Sequence, residues 1–281
     1  MSNKELLDSI KKLREITGVG FKDCKLAIDE SNGDIEKSIE FLRKKGIAKA
    51  TKKMSRTASE GLALVHQLEG AVSIIEINSE TDFVAKNKDF ISFCKEISEI
   101  CFNQEGNIEK INSSTMKNNV SVKNNLIDLI AKIGEKITLR RAKFFDKSNG
   151  SNFFYVHNAL EKNIGKIISV VKLENINEDE KTTGGKLAMH IAASNPLSIN
   201  REDLNKEILD KELEIIKAEI INSGKKKEMV EKISQGKINK FISDNTLLNQ
   251  PWIMDPKMKV SDIIKDIKVL DFVRYKVGEG V

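Results

Sequence analysis

Near residue 60 the apolar residues of this chain change period, and the pattern that begins there occurs twice. Leu62-Ala-Leu-Val-His-Gln-Leu68, a Glu69-Gly70 turn and Ala71-Val-Ser-Ile-Ile-Glu-Ile77 read as a β-hairpin. Phe153-Phe-Tyr-Val-His-Asn-Ala159, a turn around Lys162-Asn163 and Lys166-Ile-Ile-Ser-Val-Val-Lys-Leu173 repeat it. Each first strand carries a Val-His pair, Val65-His66 and Val156-His157, and each hairpin is followed by a helical stretch. A duplicated hairpin-helix unit of this kind predicts an α+β fold with two related subdomains and antiparallel sheets.

Helical spacing governs the residues before the change. Leu6, Leu7, Ile10 and Leu13 lie on one helix face until Thr17-Gly18-Val19-Gly20 breaks the pattern. A short helix follows over Asp23 to Glu30, with Cys24, Ala27 and Ile28 on one side. Asn32-Gly33-Asp34 then turns the chain and caps a third helix through Ile35, Ser38, Ile39 and Leu42, which is expected to stop at Gly46. Such a bundle buries little surface and suits a docking module.

Beyond the first hairpin a helix begins near Asp89, with Phe90, Phe93, Cys94, Ile97 and Cys101 on one face. An Asn/Ser/Lys-rich loop leads to a helix through Val122, Leu126, Leu129, Ile130 and Ile133, closed at Gly134, and to a strand from Ile137. After the second hairpin a helix spans Leu187 to Ala193 and ends at Asn195-Pro196. Gly184-Gly185 before it reads as a flexible start. Residues 201–243 keep a spacing of about 3.5 in Leu204, Ile208, Leu213, Ile216 and Ile220, turn at Ser223-Gly224, and resume at Met229, Val230, Ile233, Ile238 and Phe241. An antiparallel helical hairpin is the simplest account. The expected units are thus 1–57, a helical docking domain with a basic tether; 58–145; and 146–281, interrupted by the hairpin at 201–243 and closed by a strand from Val269 to Val277.

Charge is informative only once it is placed. Residues 1–57 hold 14 of the 47 Lys and Arg and 9 of the 42 Asp and Glu, so the remaining 33 of each sign cancel. The net charge of +5 therefore belongs to the N-terminal segment, in Arg43, Lys44, Lys45, Lys49, Lys52, Lys53 and Arg56. With only Phe41 near it, this run lacks the aromatic platform of a nucleic-acid surface and reads as a solvated tether. The alternative is a ribosome- or RNA-associated protein using residues 43–56. No apolar run nears the roughly 20 residues of a membrane span, and no basic-then-apolar leader opens the chain. Cys24, Cys94 and Cys101 are too scattered for a disulfide framework, so a cytoplasmic protein with reduced thiols is expected.

Chemistry-bearing patterns are sparse. His66, His157 and His190 fall on strands or an apolar helix, and the two later cysteines share a core face. Gly165-Lys166, Gly185-Lys186, Gly224-Lys225 and Gly236-Lys237 lack the Ser or Thr that a phosphate loop requires. The expectation is no enzyme, no cofactor, no metal and no direct nucleotide binding.

Thr81-Asp82-Phe83-Val84-Ala85-Lys86-Asn87 sits between strand and helix and should be an exposed turn. Pattern favours Asp82 as a helix cap and Phe83 as a core plug. The second reading presents Phe83 outward as a wedge for a partner.

In order along the chain, Leu13-Arg-Glu-Ile-Thr-Gly-Val-Gly20, Asp23-Cys-Lys25, Asn32-Gly-Asp-Ile35, Thr81-Asp-Phe-Val-Ala-Lys86, Ile133-Gly-Glu135, His190-Ile-Ala-Ala-Ser194, Gln250-Pro251 and Val277-Gly-Glu-Gly280 resemble the elongation factor Ts family. That resemblance implies a ubiquitin-associated-like helical domain, a core of two related subdomains and an inserted antiparallel coiled coil. It also implies an exchange factor that binds elongation factor Tu in its GDP form and promotes GDP release by disturbing the magnesium and phosphate site. A dimer of heterodimers is one assembly it allows, and dedicated nucleic-acid binding is not expected. By resemblance Asp82 and Phe83, flanked by Thr81 and Val84, insert between helices of the GTPase, and Ile133 and Gly134 contact the same surface. Arg14, Phe21 and Lys22 match the grip of the N-terminal domain. His157 matches a contact to another domain of the partner, and Ile253 and Met254 one after the coiled coil. Phe21-Lys22 departs from the Met-Met common at that place, and the chain stops at Val281 without the helical extension of some members.

Overall fold

The computed structural model describes residues 3–174, 176–177, 180–223 and 227–281, without the side chains of residues 3, 4, 49 and 227–229. Its body has four layers, and β-strand parity shows why. In β1 (Glu60–Leu68) and β2 (Ala71–Ser79), Leu62, Leu64, Ile75 and Ile77 face one way, toward α5 (Lys88–Asn103) and α7 (Val122–Ile133). The alternate residues Ala63, Val65, Val72 and Ile74 face the other way and meet Ile168, Val170 and Tyr275 of a second sheet. The second sheet turns Val171 and Leu173 outward onto Leu187, Ala188 and Ile191 of α8 (Lys181–Ser194). The order is helices, sheet, sheet, helices, and the middle strand β2 is buried along its whole length. The α+β reading with antiparallel sheets holds.

The duplication is visible in the ladders. One sheet runs β3 (Ile137–Phe145), β2, β1, β5 (Ile164–Gly165); the other runs β4 (Ser151–His157), β6 (Ile167–Glu174), β9 (Lys268–Lys276). Both units carry one extra residue on the third strand at matching places, Arg140 opposite Glu76/Ile77 and Leu270 opposite Lys172/Leu173. The two connections differ. Glu69 and Gly70, both at positive φ, close the first hairpin in two residues. The longer second connection sends β5 across to pair Gly165 with Ala63 of β1.

At the N-terminus α1 (Asn3–Thr17), α2 (Phe21–Glu30) and α3 (Ile35–Lys53) enclose Ile10, Leu13, Cys24, Ala27, Ile28 and Leu42, while Leu7 stays exposed. The third helix does not stop at Gly46. It continues to Lys53, and a Cβ at Gly46 would lie 3.3 Å from that of Ala131 on α7. Glycine serves there as space between two helices, and Ala50 is buried in the core beyond it. The expected tether is therefore largely a packed helix. Gly184 is a similar correction: it lies inside α8, where a Cβ would fall 2.5 Å from the Phe153 ring. The loop before α7 also contains α6 (Ile108–Ser113), capped by Asn107 and anchored by buried Ile111.

The insertion is the expected hairpin of α9 (Lys206–Asn222) and α10 (Lys227–Asn245), joined around Ile216, Ile220, Val230, Ile238 and Ile242 with Lys237–Glu219 across it. Gly224 of its turn and the Met229 side chain lie outside the described residues. After it come a short hairpin, β7 (Pro251–Trp252) and β8 (Asp255–Lys259), and α11 (Val260–Ile264). No helix among the described residues is long and apolar enough to cross a membrane.

Glu76, on the inner face of β2, is buried and receives Arg140, Arg141, Asn78 and the Gly278 amide. Burial alone would raise its pKa, but these donors together hold it below the ordinary 4.5. A depressed folded-state pKa contributes stability above the unfolded value, lost as the pH falls through the folded one. Glu76→Ala should cost about 3 kcal/mol at neutral pH by urea unfolding. The gap to wild type should narrow as the pH drops below 4.5.

Candidate protein-docking site

The segment after β2 folds as a single helical turn, α4 (Asp82–Ala85), ending before Asn87 starts α5 by accepting the Asp89 and Phe90 amides. One turn cannot bury both sides, and the choice is clear in Phe83, 79% exposed, against Val84, 5% exposed. The core plug expected of Phe83 is supplied by Phe90. Val84 correspondingly leaves the surface set, because it lies under the turn in the core. Asp82 is the first helical residue rather than the cap, and its carboxylate pairs with Lys86 at 2.8 Å. The hydrogen bond from Lys86 holds the Asp82 carboxyl below its usual range.

A crossed pair of glutamates fixes the approach to this turn. Gly134 closes α7 in the left-handed region, φ 89°, and turns the chain back beside β2. Glu135 then accepts the Thr81 amide at 3.0 Å and the Thr81 hydroxyl at 2.8 Å. Reciprocally, Glu80 accepts the Lys136 amide at 2.6 Å. Each glutamate satisfies a backbone donor of the other segment just where the β2–β3 ladder ends at Ser79 and Ile137. The end of α3 is tied in as well: Arg56 lies 3.3 Å from the Glu80 carboxylate, Lys136 donates to the Arg56 carbonyl, and Lys53 donates to the Gly134 carbonyl.

These bonds bring Thr81, Asp82, Phe83, Ile133 and Gly134 together, with Ile133 half-buried against the core and Gly134 exposed. The other expected contacts sit on separate elements. Arg14 is exposed on α1, and Phe21 and Lys22 are exposed at the start of α2. His157 is exposed at the end of β4, with its Nδ1 3.3 Å from the Tyr155 hydroxyl. Ile253 and Met254 form the partly exposed turn between β7 and β8. That turn is anchored by buried His190, whose Nδ1 accepts the Ile253 amide and whose Nε2 lies 2.9 Å from Gln250 Oε1, with its ring stacked on Trp252. Accepting at Nδ1 requires the neutral ring, in agreement with burial lowering its pKa.

Sequence reasoning missed Glu80, Glu135, Lys53 and Arg56 as the supports of the site. The only local signal was Gly134 ending a helix immediately before a charged pair. The basic run is largely engaged: Lys44 pairs with Glu40, Lys45 with Asp23, Arg56 with Glu80, and Lys53 with a carbonyl. Burial pushes the Cys94 and Cys101 thiols up, the latter to about 12, so neither supplies a thiolate nucleophile. Among the described residues no group of three or more His, Cys, Asp or Glu is placed to hold a metal ion.

The profile of the family described as elongation factor TS matches residues 80–279 of the chain. The elongation factor Ts of Rickettsia prowazekii is 40% identical over 97% of this chain and 91% of its own. That of Methylobacterium sp. strain 4-46 is 38% identical over 97% and 92%. That of Rickettsia felis is 39% identical over the same shares.

The contrast between the exposed and buried neighbours is measurable. Phe83→Ala should leave thermal stability within about 0.5 kcal/mol of wild type. Val84→Ala should cost about 1–2 kcal/mol from its lost apolar burial, read from denaturant midpoints.

Proposed function

Because the chain belongs to the elongation factor Ts family and is a translation elongation factor, we propose that it binds elongation factor Tu in its GDP form and promotes GDP release. Phe83 carries this reading: a large apolar side chain held outward on a turn whose entry is bonded to Glu135 and whose underside, Val84, is buried. An exposed aromatic on a fixed support loses little entropy when it enters a partner's pocket. Asp82 beside it supplies an anionic group for the same surface, and Ile133 and Gly134 form its neighbouring wall.

No bond chemistry is assigned to the chain, and it is not an enzyme that makes or breaks substrate bonds. It neither binds nucleotide directly nor carries a cofactor. It stabilises a partner conformation that holds GDP and its magnesium poorly. Linkage makes the effect mutual, so nucleotide weakens the factor by the same factor in affinity, and incoming GTP displaces it. Burying one Phe contributes about 2 kcal/mol, roughly 30-fold in an equilibrium constant. That alone is a modest coupling. Arg14, Phe21 and Lys22 on the bundle, His157, and the Ile253–Met254 turn supply the additional binding that keeps the wedge engaged.

RNA association through residues 43–56 is the competing reading, and the engaged state of Lys44, Lys45, Lys53 and Arg56 weighs against it. Fluorescent-GDP dissociation from elongation factor Tu tests the proposal directly. Wild type should accelerate release, and Phe83→Ala should reduce that acceleration by about 30-fold or more. Equal acceleration by the two proteins would remove Phe83 from the mechanism.

A further inference from the structure

We infer that Glu135 is the positioning residue of the docking turn, fixing Phe83 from across the chain through its two bonds to Thr81. The inference rests on the exchange reading above and deepens it. Thr81 occupies the N-cap position of α4, with extended backbone at φ −126° and ψ 159°. A threonine in that position ordinarily turns its hydroxyl onto the amides of its own helix. Here it makes no such bond. The hydroxyl instead donates to Glu135 Oε1 at 2.8 Å while the Thr81 amide donates to Oε2 at 3.0 Å. The local cap is given up for a link between two segments 54 residues apart.

That exchange matters because α4 is only four residues long. An isolated turn has no helical stability of its own, so its orientation comes from what holds it. Val84 and Ala85 anchor one side in the core, which fixes the depth of the turn. Ser79 Oγ donates to the Thr81 carbonyl at 3.0 Å, a bond within the same segment that ties the turn to β2 but not to the neighbouring segment. Glu135 supplies that link, on the strand side. Because Glu135 directly follows Ile133 and Gly134, the same carboxylate also holds those two residues in register with Phe83. The reciprocal bond from the Lys136 amide to Glu80 keeps the two segments from sliding past each other. Glu135 itself is not assigned a contact with the partner; it acts through Thr81.

The test measures fluorescent-GDP release from elongation factor Tu over a range of factor concentrations, with hydrogen exchange on the 81–87 amides. Glu135→Ala should lower kcat/KM by about 10-fold, as loss of two charge-assisted bonds implies, should speed amide exchange across the turn, and should lower the thermal midpoint by several degrees, leaving the chain folded at the assay temperature. Glu135→Gln, which keeps a carbonyl acceptor, should recover part of the loss. In the Phe83→Ala background, Glu135→Ala should cost clearly less than about 10-fold, since the wedge is gone and only Asp82, Ile133 and Gly134 remain to be positioned. Full wild-type release by Glu135→Ala would overturn the inference. So would an undiminished 10-fold loss in the Phe83→Ala background, which would mean that Glu135 acts independently of the wedge. If Glu135→Ala does not fold, Thr81→Val deletes the hydroxyl bond alone; a loss of about 3-fold supports the inference and unchanged release overturns it. A wild-type protein that fails to accelerate GDP release would overturn the exchange reading itself, whatever the turn does.

Discussion

The two halves of the body are held as one by a carboxylate with no exposure to water. Glu76 points from the central strand toward the second sheet and gathers Arg140, Arg141, Asn78 and the Gly278 amide. Arg140 also donates to the Glu279 carbonyl and Arg141 to that of Lys276, while Arg274 pairs with Glu279. A side chain at Gly278, φ 79°, would run into the Ser59 carbonyl, so the C-terminal Gly-Glu-Gly segment can lie there only as glycine. Burying one such charge is tolerable because both carboxylate oxygens find donors, three on Oε1 and one on Oε2. Both sheets are thereby locked to β2, whose far end leads straight into the docking turn.

A rigid base decides what kind of work the turn can do. An aromatic on a mobile loop would have to be ordered during binding, and that entropy would be subtracted from the coupling. Here the ordering is done in folding, by the buried Val84 below and the Glu135 carboxylate beside it. The other residues proposed as contacts sit on different elements of the same body, so in that proposal binding energy gained at the bundle or at the β7–β8 turn bears on the Asp82-Phe83 site. The His190 ring serves that second turn as Glu135 serves the first, tying an exposed pair of apolar residues to a helix by one side chain.

Periodicity along the chain revealed much of this architecture because sheets and helices are written in local spacing. The hairpins, the bundle and the antiparallel insertion were legible on that ground. Gly46 and Gly184 were misread for one shared reason. Local reasoning treats glycine as punctuation, but both stand inside helices, where a Cβ would be crowded by Ala131 in one case and blocked by the Phe153 ring in the other. Phe83 shows the same limit. Helical spacing already places Phe90 on a core face, but Phe83 lies on a single turn with no period, and only the tertiary fold decides that it faces solvent. The Glu135–Thr81 bonds have no sequence period at all, since they join residues 54 apart.

The surplus positive charge at the N-terminus takes on a different meaning in this light. As an open tether it would present a field to any polyanion. Folded into α3 and its exit, its cations reach the groups that surround the turn, Arg56 the Glu80 carboxylate and Lys53 the Gly134 carbonyl, while Lys136 donates back to the Arg56 carbonyl. Exposed ion pairs of this sort are individually weak. Their value lies in placement, because they converge on one short segment already bounded by the crossed glutamates. The bundle, carrying Arg14, Phe21 and Lys22, is thus joined to the Asp82-Phe83 turn through the packed half of α3 rather than through a flexible link. A partner that meets both surfaces meets them at a spacing set by the fold.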